Sequence, residues 1–191
     1  MSIPEVGSRN RLLYFLQKYL TTLDSYVGDG AIIGYSGYDP GTADDQTVSG
    51  TSFVYIVDGS ANKKGVTFVA PSSGIVEITL SIWIEQNAVI GNPLVMALTP
   101  IDGTFSTYAG TMKYVSLGSE NTAVPTQAYV TMKWVLYPGG DYLIPGETQT
   151  FYLGAKTLSA SDEFILRWGG SSGGYPVFVM KAVALPATIG T

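Results

Sequence analysis

Cysteine and histidine are both absent from the 191 residues. Without cysteine there is no disulfide, no thiol nucleophile and no Cys-ligated zinc. Without histidine there is no Ser-His triad, no imidazole acid–base step and no His-ligated metal centre. Charge is also scarce: Asp, Glu, Lys and Arg make up 13% of the chain, about half the usual share. What charge there is sums to −5, so nucleic acid is not the expected partner, because phosphate binding needs clustered cations. No window holds about 18 consecutive apolar residues, so no membrane helix and no membrane partner are expected. Arg9 and Arg11 lead into an apolar set broken by Gln17, Lys18, Thr21 and Thr22. That is not a secretory signal, and synthesis in a cytoplasm without export by the usual route is expected. No cofactor and no metal are expected.

What the chain has is apolar content, 46% of residues, with 23 glycines and 13 tyrosines. Low charge with high apolar content fits a chain that buries part of its surface in an oligomer. Abundant glycine and tyrosine fit a turn-rich β-protein. The clearest pattern is in residues 74–85. Val76, Ile78, Leu80, Ile82 and Ile84 alternate with Glu77, Thr79, Ser81, Trp83 and Glu85. A strand sends these two sets to opposite faces. Trp83 is the odd member, a large aromatic on the otherwise polar face. It is either a half-covered surface residue or part of a subunit contact.

The start of the chain reads differently. Residues 1–7 form an arm, and Ser8 is a candidate helix N-cap. Leu13, Leu16, Leu20, Leu23 and Val27 then recur at spacings of three and four, a short heptad seam. It predicts a helix over residues 9–27 that either lies on its own domain, bundles with copies of itself, or docks on a larger assembly. Gly28 and Gly30 end it. Residues 28–51 are rich in Gly, Asp, Ser and Thr with little hydrophobic period, and are expected as a linker or long loop. Asp39, Asp44 and Asp45 fall there. They form either a calcium-binding group or, without the spacing of an EF-hand, a solvated acidic loop.

From residue 52 short strands alternate with turns. Expected strands are 52–57, 65–70, 74–85, 94–99, 111–117, 127–137, 147–158, 162–168 and 177–185. Turn signals separate them, such as Pro71 to Gly74, Asp102-Gly103, Pro138 to Asp141, and Gly169 to Gly174. The fold class expected is all-β, an antiparallel jelly-roll sandwich over residues 52–186, preceded by the short α-helix of segment 1–27 and followed by a tail at 187–191. Two strands are apolar on both faces. In 127–137, Tyr129, Val135 and Tyr137 oppose the Ala128 to Leu136 set; in 177–185, Val179 and Val183 oppose Phe178 and Met180. A sheet with one wet face should not read this way. The doubly apolar strands predict a sheet covered twice, by its partner sheet and by another copy. The alternative cover is the N-terminal segment of the same chain.

Three stretches carry a resemblance. Residues 65–79 (GVTFVAPSSGIVEIT) are similar to the F-x-A-P-x-x-G-x-Y run into the long strand of the C1q/TNF-like trimeric jelly rolls, with Val76 where an aromatic is common. Residues 142–153 (YLIPGETQTFYL) resemble the entry to a later strand of that fold, and residues 178–185 (FVMKAVAL) its final strand. The resemblance covers roughly residues 52–186 and implies a homotrimer. A trimer interface is expected at Trp83, Tyr129, Tyr137, Val179 and Val183. Without signal peptide or cysteine, and with an N-terminal anchor, the chain looks most like bacteriophage virion proteins, namely head fibres, capsid decorations or tail-fibre knobs. That implies a particle-docking segment at Arg9, Arg11, Leu13, Leu16, Leu20, Leu23 and Val27, a capsid or other virion protein as partner, and location in the virion. The alternative function is a tail-fibre or receptor-binding knob that recognises a host surface glycan, with Tyr35, Tyr38, Tyr108 and Tyr175 as stacking candidates.

An enzyme is not expected. Glu77 and Glu85 share a strand face eight residues apart, roughly 26 Å. Glycosidase carboxylates need about 5–9.5 Å. Asp141, Asp162 and Glu163 are the acids that could converge from elsewhere. No nucleophile elbow, phosphate loop or dinucleotide fingerprint is present, and Gly169 to Gly174 reads as a hairpin tip.

Overall fold

The computed structural model describes residues 30–87, 92–117, 126–139, 142–170 and 174–186. Among them all regular structure is strand: β1 Ile32–Tyr38, β2 Asp44–Ser49, β3 Val54–Tyr55, β4 Gly65–Val69, β5 Val76–Gln86, β6 Leu94–Thr99, β7 Lys113–Val115, β8 Thr126–Leu136, β9 Thr148–Lys156, β10 Glu163–Trp168 and β11 Phe178–Ala184. Every pairing is antiparallel. The expected helix at 9–27 and the tail at 187–191 lie outside the described residues.

The strands form two sheets. In the first, β5 pairs along its whole length with β8 on one edge. On its other edge it pairs with β11 over Val76–Ser81 and with β10 over Trp83–Gln86. So β10 and β11 are one run of strand, interrupted by residues 169–177. β1 pairs with β11 and β2 with β10, so β1 and β2 are likewise one run, interrupted at the same level by residues 39–43. The two interruptions touch: Gly170 N–H donates to the Pro40 carbonyl at 2.9 Å. In the second sheet β3 and β4 share one edge of β9, and β6 and β7 follow on the other. The excursion at 56–64 again interrupts a single run. The first sheet therefore has the order (β1/β2)–(β10/β11)–β5–β8, and the second (β3/β4)–β9–β6–β7.

One hydrophobic core draws on both sheets. The alternation in β5 decides its inner face: Val76, Ile78, Leu80, Ile82 and Ile84 are all fully buried. Trp134, Met180, Leu166 and Trp168 join them from the same sheet. Val66, Phe68, Phe151, Leu153, Leu94, Met96 and Leu98 meet them from the second. Burial of such side chains is worth about 1.5–3 kcal/mol each before the entropy of ordering is subtracted. The Trp134 indole N–H donates to the Thr111 carbonyl, so its burial leaves no orphan donor.

Residues 28–51, expected as a linker, instead supply β1 and β2. Their strand character was hidden for two physical reasons. Gly34 of β1 sits where that strand crosses β4, and a Cβ there would lie 2.5 Å from the Thr67 carbonyl oxygen. A glycine needed for close approach carries no hydrophobic signal. In β2 the inward positions are partly polar. Gln46 accepts from the Val57 N–H at 2.7 Å and donates to the Tyr55 carbonyl at 2.9 Å, joining the first sheet to the edge of the second. Asp44 accepts from the Gly59 N–H at 2.9 Å. Two expected strands are shorter than read: 52–57 reduces to Val54–Tyr55 and 111–117 to Lys113–Val115.

The 56–64 excursion is fixed by a buried ion pair. The Lys64 ammonium lies 2.8 Å from the Asp58 carboxylate, and both side chains are nearly out of solvent. Asp58 also accepts from the N–H groups of Ser60 and Asn62, each at 2.9 Å, and from the Asn62 amide at 3.2 Å. The Lys64 ammonium sits 3.2 Å from the centroid of the Tyr38 ring. The Lys64 hydrogen bond, helped by those from Asn62 and Ser60 and opposed by burial, holds the Asp58 carboxyl well below the ordinary carboxylate range.

Candidate interaction surface

The two sheets differ in what covers their outer faces. The second sheet is covered over its centre by its own chain, although Val69 and Tyr114 on its edge strands are exposed, at 52% and 61%. Phe105, in the loop after β6, lies flat on β9, where Gly154 has no side chain; a Cβ there would lie 2.1 Å from the ring. Phe105 stacks on Phe53 at 4.9 Å and meets Tyr55 edge-on at 5.2 Å. Val95, Ala97 and Thr99, the outward residues of β6, are fully buried. Gly154→Ala is therefore expected to lift this loop and lower stability by roughly 1–3 kcal/mol. Thermal unfolding checks it, and an unchanged Tm would mean the loop does not depend on that contact.

The first sheet has no such cover among the described residues. The cross-strand register arranges its outer face in rows. One row is Ile32, Val183, Glu77 and Val135. The next is Tyr35, Lys181, Thr79 and Lys133, and a third is Gly37, Val179, Ser81 and Thr131. Beyond them Asp45, Arg167, Trp83 and Tyr129 align, and then Thr47, Ile165, Glu85 and Gln127. Exposure along this face is high for apolar groups: Ile32 63%, Tyr35 63%, Tyr129 46% and Val135 43%.

Its charges are mostly tied down. Glu77 pairs with Lys133 at 2.9 Å. Arg167 pairs with Glu85 at 3.0 Å and lies 3.4 Å from Asp45. The Arg167 guanidinium also lies 5.1 Å from the Tyr175 ring, and Tyr175 leans over Trp83 at 6.0 Å. The Trp83 indole N–H is buried beneath this group and has no acceptor among the described residues. Lys181 has no ion-pair partner among them either.

Of the residues expected at a trimer interface, Trp83, Tyr129, Val179 and Val183 all fall on this outer face. Tyr137, just past β8 and in step with its outward residues, is 61% exposed. The docking residues Arg9, Arg11, Leu13, Leu16, Leu20, Leu23 and Val27 lie outside the described residues. Sequence reading missed Ile32, Ile165, Arg167 and Lys181. Alternation in β10, where Ile165 and Arg167 are the half-buried set, was the available signal for two of them.

The other candidates are dispersed. Tyr35 is a strand residue whose ring lies over Gly37, and Tyr38 packs on Trp168 at 6.4 Å. Tyr108 is half-buried, its hydroxyl donates to the Tyr137 carbonyl at 3.0 Å, and burial raises its pKa. Tyr108, Val135, Tyr137, Pro138 and Gly139 line an open groove of about 380 Å³. Asp39, Asp44 and Asp45 do not gather into a metal-holding group, nor do any other three acids among the described residues; Asp44 and Asp45 are strand residues, not part of a loop. Asp162 is a turn staple that accepts from the Ser159 N–H at 3.1 Å, and Glu163 accepts from the Asn87 amide at 2.6 Å. Asp141 lies outside the described residues. No helix among those described is long and apolar enough to cross a membrane.

No protein-family model matches the chain, and no curated protein does. Among solved structures, one titled "Structure of infectious bursal disease virus Gx strain" aligns at 9% identity and a TM-score of 0.18, covering 81% of this chain and 36% of that one. A likeness that slight carries no argument about fold or function.

Proposed function

We propose that the chain is a non-enzymatic structural protein of a bacteriophage virion, a homotrimeric jelly roll of the capsid-decoration or head-fibre kind. The uncovered outer face of the first sheet is its contact with other copies, and the N-terminal segment from Arg9 to Val27 docks on a capsid or other virion protein. The observation that carries this reading is the contrast between the sheets. The centre of one outer face is closed by Phe105 and its loop. The other leaves Ile32, Tyr35, Tyr129 and Val135 open, an apolar patch of the kind that marks an interaction site.

Strand order supports the jelly-roll part. Counting each interrupted pair as one run gives orders 1-8-3-6 and 2-7-4-5, the arrangement of two nested Greek keys. A phage origin rests on the sequence resemblance. The ion pairs on Glu77 and Glu85 leave those acids as struts and favour a structural role over acid–base chemistry. A receptor-binding knob is the second reading, favoured by the tyrosine-lined groove at Tyr108 and Tyr137, which suits a neutral sugar ring.

The test is cross-linking of purified virions of the phage that carries the chain. A virion-bound species at three times 20.3 kDa is the expected result. Absence of the chain from virions, or a single-copy species there, would overturn the proposal. Binding of the isolated chain to host envelope without virion association would favour the second reading.

A further inference from the structure

The two flanks of the sandwich end differently. On one flank the sheets are tied together: Gly34 lets β1 cross β4, and Gln46 and Asp44 of β2 bond to the backbone between Tyr55 and Gly59. On the other flank the first sheet ends in β8, which pairs with β5 and with no other described strand. β8 runs 11 residues without a bulge or a proline. Strand parity shows which of its backbone groups are left over. The Leu185 N–H donates to the Ile75 carbonyl at 2.9 Å and the Asn87 N–H to the Glu163 carbonyl at 3.1 Å, so the odd-numbered residues of β5 address β10 and β11. Its even-numbered residues therefore address β8 and use the N–H and C=O groups of Ala128, Val130, Met132 and Trp134. Gln127, Tyr129, Thr131, Lys133 and Val135 turn theirs outward, with no backbone partner among the described residues. Their side chains are all exposed. A long edge is normally blunted by proline, a bulge or free charge. Here the one charge, Lys133, is paired with Glu77.

We propose that this edge pairs with the same edge of a second copy, antiparallel about a two-fold axis at Thr131, so that the two first sheets become one. The strand is complementary to itself in that register. Thr131 meets its own counterpart, a favourable cross-strand pair. Tyr129 of each copy falls opposite Lys133 of the other, ring against ammonium, and Gln127 falls opposite Val135. On the inner side Val130 falls opposite Met132 and Ala128 opposite Trp134, apolar against apolar. Moving the axis to Lys133 would set two ammonium groups face to face, and like charges directly opposed destabilise a sheet. The contact lies in the plane of the sheet and is separate from the face contact proposed above. A single strand edge is a small contact of the transient class, and its hydrogen bonds replace bonds to water. Pairing therefore fills at high concentration, as between neighbouring copies on a particle, while the dilute chain keeps the mass set by the face.

The test uses the full chain, which has no cysteine of its own, with a short bismaleimide at high protein concentration. In the proposed register the two Thr131 Cα atoms lie about 5.5 Å apart. The two Val135 residues, each opposite Gln127, lie roughly 26 Å apart, beyond the linker. Thr131→Cys is expected to give a linked species at twice 20.3 kDa on a denaturing gel. Val135→Cys alone is expected to stay at one copy, and to link when mixed with Gln127→Cys. Adding Thr131→Pro to both members of that mixture removes an outward N–H that β5 does not use and is expected to abolish the link. Thr131→Cys that does not link, Val135→Cys that links to itself as readily, or a link that survives Thr131→Pro overturns the edge contact. A three-copy solution mass beside that result leaves the face reading standing. The Thr131→Cys link is expected to persist when Val183→Asp is added. Its loss there assigns the proximity to the face and overturns the separate edge contact.

Discussion

Replacing Asp58 with alanine is expected to destabilise the fold by about 3–5 kcal/mol, because it leaves the Lys64 ammonium buried without its partner. It also removes the acceptor that the N–H groups of Ser60 and Asn62 share. For a chain of this size the loss is a Tm lower by roughly 10 °C. Adding Lys64→Met should restore part of it, since removing the second charge removes the desolvation cost of an unpaired ion. The effect depends on pH with a defined sign. The folded carboxyl is held below its ordinary value, so its stabilisation is complete above about pH 4 and is lost as pH falls below that toward the folded value. The Tm gap between wild type and Asp58→Ala should therefore be largest at neutral pH and narrow in acid. A gap of under 2 °C at pH 7 would show that the excursion at 56–64 is held by something else.

The same region illustrates how much of the fold could be read in advance. β5 was legible because both of its edges are paired and one face is wholly buried, which demands strict alternation. β6 falls on the expected residues, Leu94–Thr99. β2 was not legible, because Gln46 and Asp44 serve as hydrogen-bond partners for the second sheet and carry no hydrophobic period. The interruptions were also hidden. That β10 and β11 form one run is visible only from their shared register on β5, a non-local fact that no local pattern encodes. The outer face was half legible. Side-chain parity placed Trp83, Tyr129, Val179 and Val183 together, since a strand has period two. The contribution of Arg167, Tyr175 and Lys181 depends on which strands become neighbours, with Arg167 meeting Glu85 from far along the chain.

Val183→Asp gives the sharpest test of what the outer face does. Val183 sits between Ile32 and Glu77 in its row, with Val135 beyond. An aspartate there stays solvated in an isolated copy, so the sandwich should fold with little change in Tm. In an assembly it becomes a buried anion beside Glu77, which is already committed to Lys133, and only Lys181, one row away, offsets it in part. Burial of such a charge costs several kcal/mol, and each 1.4 kcal/mol is about tenfold in affinity, so association should weaken roughly 100-fold or more. The measurement is the solution mass of the full chain by light scattering. Val183→Asp is expected to lower the mass from three copies to one. Thr148→Asp, on the exposed start of β9 in the second sheet, should leave the three-copy mass unchanged. If Val183→Asp keeps three copies while Thr148→Asp dissociates them, the contact lies on the second sheet. The aromatic cover around Phe105, with exposed Val69 and Tyr114 beside it, would then be part of it.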